Sequence, residues 1–422
     1  MFCPKCGTKL DDDAKFCPSC GAQVGERDVA PGETVTQTTT TTTKNVRTKG
    51  RGALLAAVAG VVVLVGVVVF ALSHLMGGAA AAGADGMGNS VTNISIGYGQ
   101  AVSAGGKDYF FDRDGLECAK VNDKENIQKL CTAPDDTRVG MLNYVDGRLL
   151  YVSFDTDSEK YEVKSVKDDG SDSKEIYTLN RRTDSDGVNY FPFLSVVDGR
   201  VYLAYTSYKN DVDAMHVITM KTDGSDEKEE ANFSLNGSFS HEVTISKNAI
   251  FYADDNGEDQ SGSGSVYAMN LDGSGKTKIF EAESGHVNSI TVVGDRVVVT
   301  ASYSEGNSSE SAREFYVTTM KKDGSDAKKI ASFTEDGVET IGTNKDSVYL
   351  QSGDKYYSVP VTGGDKTELK LPDSYENHAI ARVLGMDDHL VLLNGELDYR
   401  SYNVGSAKVD GSDYVEYFAS ED

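Results

Sequence analysis

A short phrase returns along this chain at nearly constant spacing, and it limits the fold to architectures built from repeats. Met220-Lys221-Thr222-Asp223-Gly224-Ser225-Asp226 is echoed by Lys167-Asp168-Asp169-Gly170-Ser171-Asp172, Met269-Asn270-Leu271-Asp272-Gly273-Ser274, Met320-Lys321-Lys322-Asp323-Gly324-Ser325-Asp326 and Lys408-Val409-Asp410-Gly411-Ser412-Asp413. Consecutive Asp-Gly pairs lie about 49 to 54 residues apart, and a degenerate copy, Val361-Thr362-Gly363-Gly364-Asp365, falls in the one long gap. Asp-Gly between alternating apolar segments is a hairpin turn, because glycine accepts the positive φ that such turns impose.

Each unit opens with another hairpin. Val145-Asp146-Gly147-Arg148, Val197-Asp198-Gly199-Arg200 and Val293-Gly294-Asp295-Arg296 share one phase with Lys247-Asn248-Ala249 and Lys345-Asp346-Ser347. Four short strands per unit cannot bury their faces alone, and radial stacking supplies the missing cover. The chain is therefore read as mainly β: a six- or seven-bladed β-propeller, seven preferred, with units starting near 100, 138, 192, 242, 287, 337 and 379. A solenoid is the competing architecture.

The Asp-Gly-Ser turns and aromatic second strands, such as Phe251-Tyr252-Ala253-Asp254, resemble the YWTD-type propellers of the low-density-lipoprotein-receptor family and the bacterial domains of unknown function similar to them. The resemblance implies ligand binding on one rim without chemistry. The chain has no tryptophan, so no unit spells the family motif in full.

Ahead of the repeats, the uncharged run from Ala53 to Met76 is long enough, at ~1.5 Å per helical residue, to cross a hydrocarbon core of about 30 Å. Lys44, Arg47, Lys49 and Arg51 precede it, while the stretch from Gly77 to Asn89 carries only Asp85. By the positive-inside rule the N-terminus is cytosolic and the repeats are extracellular. A signal peptide fits poorly, since about fifty residues precede the run. The expected organisation is a zinc ribbon at 1–24, a Thr-rich cytosolic linker at 25–52, one transmembrane helix at 53–76, a flexible linker at 77–93 and the propeller at 94–422. This order of parts looks like that of a Gram-positive membrane protein.

The first segment repeats Phe2-Cys3-Pro4-Lys5-Cys6-Gly7 as Phe16-Cys17-Pro18-Ser19-Cys20-Gly21. Two Cys-x-x-Cys pairs at this spacing present four thiolates to one tetrahedral zinc ion, with Cys3, Cys6, Cys17 and Cys20 as ligands. The segment resembles the zinc-ribbon family of bacterial membrane proteins, whose members share these knuckles. Four protein sulfurs leave no open position for water, so the zinc is expected to be structural. Lys5, Lys9 and Lys15 are offset by Asp11, Asp12 and Asp13, which argues against nucleic acid and for a cytosolic protein partner.

Charge divides the same way. Eight Lys and Arg stand against six Asp and Glu before Gly52, and thirty-three against sixty beyond it, within a total of −25. So acidic an exterior repels nucleic acid and anionic lipid. Cys118 and Cys131 flank a turn near Asp123, and a hairpin centred there places them opposite each other as a cross-strand disulfide. No His-x-x-His, Gly-x-Ser-x-Gly or P-loop pattern occurs, so no catalytic residue is expected. The resulting expectation is not an enzyme but a membrane-anchored binding or sensor protein, its propeller taking a wall, peptide or protein ligand. The alternative is an exterior hydrolase or lyase on a propeller scaffold. An exposed aromatic rim, to which Tyr205 and Tyr208 would contribute, favours binding; paired carboxylates or histidines favour the enzyme.

Overall fold

The computed structural model describes residues 86–419 apart from 113–114, 133–136, 181–190, 210–211, 235–242, 256–263, 283–284, 305–312, 335–336, 372–379, 387 and 397–400. The zinc-ribbon cysteines and the apolar run lie outside these residues. Among the described residues no helix is long and apolar enough to cross a membrane.

Seven four-stranded antiparallel sheets form a seven-bladed β-propeller. In chain order, β1–β4 occupy residues 101–132, β5–β8 137–180, β9–β12 193–234, β13–β16 243–281, β17–β20 287–334, β21–β24 338–368 and β25–β28 380–418. Every sheet is built from four consecutive strands, so no strand is exchanged between the first blade and the last.

Burial follows from the radial arrangement. The second strand of a blade is covered on both faces by its neighbours, so Leu149, Leu150, Tyr151 and Val152 of β6 (Arg148–Asp155) are all buried, as are Leu390, Val391, Leu392 and Leu393 of β26 (Leu390–Glu396). Fourth strands such as β8 (Lys174–Asn180) lie at the outer edge and are mostly half-buried or exposed. A sequence that reads as a continuous apolar run on one strand and a polar one two strands later is the signature of this layering.

The two repeated phrases lock each other. Arg200, in the first hairpin of blade 3, donates from Nη1 to Asp226 Oδ2 (2.9 Å), from Nη2 to the Asp226 carbonyl (3.2 Å) and from Nε to Thr219 Oγ1 (3.2 Å). Arg148 and Arg296 make the same three bonds to Asp172 with Ser165 and to Asp326 with Thr319. The glycine of each Asp-Gly-Ser turn has a second reason to be glycine. In Gly170 and Gly324, at φ +84° and +82°, a Cβ would stand 2.7 Å from the Leu130 carbonyl and 2.8 Å from the Ile279 carbonyl, on the outer strand of the preceding blade. Gly224 and Gly411 face the Ile176 and Lys370 carbonyls in the same way, while Gly273 and Gly363 face the side chains of Ala231 and Lys328 on their preceding blades.

The chain threads the middle of the ring before blade 1 begins. Gly86–Gly88 pair with β9 (Phe193–Val197), and α1 (Val91–Ser95) is wholly buried against the innermost strands of blades 3 to 7. Thr92 Oγ1 sits 2.6 Å from Thr291 Oγ1 and accepts from Thr343 Oγ1 at 2.6 Å, while Asn89 Nδ2 donates to the Leu142 carbonyl at 2.7 Å. The described part of the segment expected to be flexible, from Gly86 to Asn93, is therefore packed. Its Thr and Asn side chains find partners in the channel that solvent would otherwise provide.

The first blade also corrects the expected cysteine geometry. In the β3–β4 ladder Cys118 (β3, Gly115–Lys120) is opposite Gln128 and Cys131 (β4, Gln128–Thr132) is opposite Leu116, so the two are offset along the hairpin rather than paired. Both are free thiols, and Cys131 Sγ lies 3.7 Å from Tyr151 Oη. Burial pushes the Cys118 thiol pKa up.

Candidate functional site

Blade 3 carries a chain of side chains that the linear sequence does not announce. Arg200–Lys209 forms β10 and Val212–Lys221 forms β11, in a register that sets Tyr205 opposite His216 and Ser207 opposite Ala214. Ser207 and His216 are thus diagonal neighbours on one face, within side-chain reach. Ser207 Oγ is 2.7 Å from His216 Nε2.

The third member arrives through a bulge. β12 (Lys228–Ser234) pairs with β11 as His216↔Asn232 and Val217↔Ala231, then slips so that Ile218 faces Glu229 rather than Glu230. Because side chains alternate along a strand, that slip brings Glu229 to the His216 face. Glu229 Oε1 is 2.8 Å from His216 Nδ1 and also accepts from Asn232 Nδ2 at 3.1 Å. The carboxylate holds the proton on Nδ1, which turns the Nε2 lone pair toward the Ser207 hydroxyl.

The surroundings orient the ring without sealing it. Tyr205 stacks on the imidazole at 4.9 Å with an 8° interplanar angle. The His216 side chain is 17% exposed and that of Glu229 48%, so the pair is open to solvent. Tyr177 donates to Glu227 Oε1 at 3.1 Å beside this group; burial, then Glu227, holds its phenol proton more tightly than usual.

A second Ser-His-Asp group, between blades 1 and 7, has a different chemistry. His389 Nε2 bonds Asp108 Oδ1 at 2.8 Å and Nδ1 bonds Asp388 Oδ1 at 2.7 Å, while Ser103 Oγ donates to Asp108 and stands 3.5 Å from Nε2. With a carboxylate on each nitrogen the protonated ring donates twice and then keeps no lone pair for a serine proton. Burial opposes charge on His389, but hydrogen bonds and charge from Asp108 and Asp388 outweigh it and raise its pKa. This group is an ion-paired clamp.

A cleft of about 470 Å³ between blades 5 and 6 is lined by Asn288, Ser289, Glu339, Thr340 and Gln351, among others. Its carboxylate is engaged by Arg382 at 3.3 Å, and Arg382 Nε donates to the Ile96 carbonyl at 2.6 Å. No nucleophile–base pair lines it. Among the described residues no cluster of three His, Cys, Asp or Glu could hold a metal ion. The zinc ligands expected at Cys3, Cys6, Cys17 and Cys20 lie outside those residues.

Residues 2–24 match the zinc-ribbon domain family. No curated protein matches the chain. Among solved structures, puromycin hydrolase is similar at 13% identity and a TM-score of 0.47, over 66% of this chain and 46% of that one. The β-propeller domain of the Trilobed protease from Pyrococcus furiosus, which has an open velcro topology, is similar at 14% identity and a TM-score of 0.48, over 77% and 96%. The GH93 α-L-arabinofuranosidase of Fusarium graminearum follows at 15% and 0.42, over 65% and 92%. The chain thus spans less than half the length of puromycin hydrolase.

The expectation of a binding or sensor propeller that is not an enzyme is corrected. The propellers returned by comparison belong to proteins named as hydrolases and a protease. Among the described residues Tyr98 is the one exposed large aromatic side chain and Tyr205 is packed on His216, while the side chain of Tyr208 lies outside them. No sequence signal marked the Ser207–His216–Glu229 chain: the residues are separated by nine and thirteen positions and meet only through a hairpin register and a bulge.

Proposed function

We propose that the propeller is a hydrolase that transfers an acyl group to water through Ser207. The observation that carries this reading is the continuous hydrogen-bonded path from Ser207 Oγ to His216 Nε2 and from Nδ1 to Glu229. In the reaction His216 takes the Ser207 proton as Oγ attacks the carbonyl of an ester or amide, then returns it to the leaving group; water attacks the acyl-serine in a second step. Glu229 keeps the imidazole in the productive tautomer and balances its transient charge.

The reading includes an anchor at Ala53–Met76, with the N-terminal ribbon cytosolic, its zinc held by Cys3, Cys6, Cys17 and Cys20, and the propeller outside the cell. The basic residues before the apolar run and the paired Cys-x-x-Cys knuckles support it. Within propellers, Phe251-Tyr252-Ala253-Asp254 supports a place near the YWTD-type group.

The test is labelling of the full-length protein with a fluorophosphonate probe, followed by peptide mapping. Adduct on Ser207, absent from Ser207→Ala and lost with His216→Ala, is expected. Turnover of a chromogenic ester should fall about 10⁴-fold in Glu229→Gln through loss of the tautomer. A Ser207 that resists the probe, together with ester turnover unchanged by Ser207→Ala, would overturn the reading.

A further inference from the structure

Six of the seven blade junctions share one device, a turn glycine at positive φ resting on the blade before it, five of them in Asp-Gly-Ser turns and the sixth, Gly363, in the degenerate Thr-Gly-Gly turn. The junction of blade 7 with blade 1 lacks it. The corresponding turn of blade 1 has Asn122, at φ +61°, and no Asp-Gly-Ser. Nor, among the described residues, does a strand cross the seam.

A buried polar network occupies this junction. Asp108, at the start of β2 (Lys107–Asp112) and fully buried, takes the His389 imidazole on Oδ1 and the Tyr417 hydroxyl on Oδ2 at 2.7 Å. Tyr417 Oη in turn accepts the Asn122 amide at 2.9 Å, and Ser406 Oγ donates to Asn122 Oδ1 at 2.8 Å. Every one of these contacts joins residues of blade 1 to residues of blade 7. Around them lies an apolar cluster of Ala101, Phe110, Leu393 and Val404.

We propose that His389 is a proton-operated latch that closes the propeller ring, holding blade 1 to blade 7 while its imidazole is charged and loosening the seam when it is not. The titratable groups on the latch are Asp108 from β2, Tyr417 from β28 (Val415–Phe418) and Asp388 from the turn that carries His389. Tyr417 stays protonated because burial and the nearby Asp108 charge raise its pKa. Loss of the imidazole proton removes a donor and leaves Asp108 buried without its counter-charge, which a low-dielectric site tolerates poorly. The sign follows: a histidine whose folded pKa is raised contributes its full stabilisation below the unfolded value of about 6.5 and loses it as pH rises through the folded value.

Hydrogen exchange of the full-length chain in detergent, corrected for intrinsic rates, tests the latch. Opening at Ala101–Ala104 and Leu390–Glu396 should increase by up to about tenfold per pH unit between the unfolded value of about 6.5 and the raised folded value and level off above it, while strands of blades 3 and 4 hold constant. His389→Gln should abolish the pH step. Should that variant fail to fold, Asp388→Asn, at a side chain 87% exposed, should fold and shift the step to lower pH. Seam protection that tracks blades 3 and 4 at every pH, or a step that Asp388→Asn leaves unmoved, would overturn the proposal.

Discussion

The six repeated blade junctions and the single seam between blades 7 and 1 meet the same mechanical demand with opposite chemistry. At four of the repeated junctions the contact is backbone against backbone, made possible because Gly170, Gly224, Gly324 and Gly411 have no Cβ and accept a positive φ, and at the other two Gly273 and Gly363 leave room for a side chain. At the seam the contact is made by side chains, with a buried His389–Asp108–Tyr417 network in place of the turn. A repeated junction is specified locally and copied with the unit. The seam joins residues nearly three hundred positions apart, so it has to be specified separately, and buried charge gives it a unique partner at the cost of sensitivity to protonation.

Replacing one partner on each side of this comparison should separate the two designs. The largest effect is expected from Asp108→Ala, which strands the His389 charge and the Tyr417 hydroxyl in a dry site; a loss of about 3–5 kcal/mol in denaturant unfolding is expected, and a smaller value would mean that water replaces the carboxylate. Gly324→Ala should cost less, about 1–2 kcal/mol for the left-handed backbone, plus whatever movement relieves the contact with the Ile279 carbonyl. If it proves as damaging as Asp108→Ala, the junctions are not more tolerant than the seam. The smallest effect is expected from Arg200→Gln. Its partner Asp226 is 60% exposed, so the midpoint should fall slightly at low salt and the difference should vanish at high ionic strength. Blade 3 offers a control, since Ser207→Ala should remove probe labelling while leaving the unfolding midpoint in place.

Much of the fold was legible because its determinants are local. The Asp-Gly-Ser spacing and the preceding Asp-Gly-Arg hairpins led to seven units whose starts, near 192, 287 and 379, fall beside β9, β17 (Val287–Val293) and β25 (Ile380–Gly385). What was not legible depends on register. Cys118 and Cys131 flank a turn as a disulfide pair would, yet the hairpin register sets Cys118 opposite Gln128 and Cys131 opposite Leu116. A slip between Val217 and Ile218 carries Glu229 rather than Glu230 to His216. Composition could not distinguish Gly86–Asn93 from a tether either, because Asn89 and Thr92 are ordinary linker residues until a channel supplies partners.

By itself the chain determined the repeat and its glycine turns and narrowed the blade number to six or seven, since these follow from short-range turn chemistry and the alternation of apolar residues. The tertiary structure alone decided which serine meets which histidine, what fills the channel and how the ring closes. Those outcomes rest on strand register and on contacts between distant blades, where a shift of one residue changes the face on which a side chain emerges.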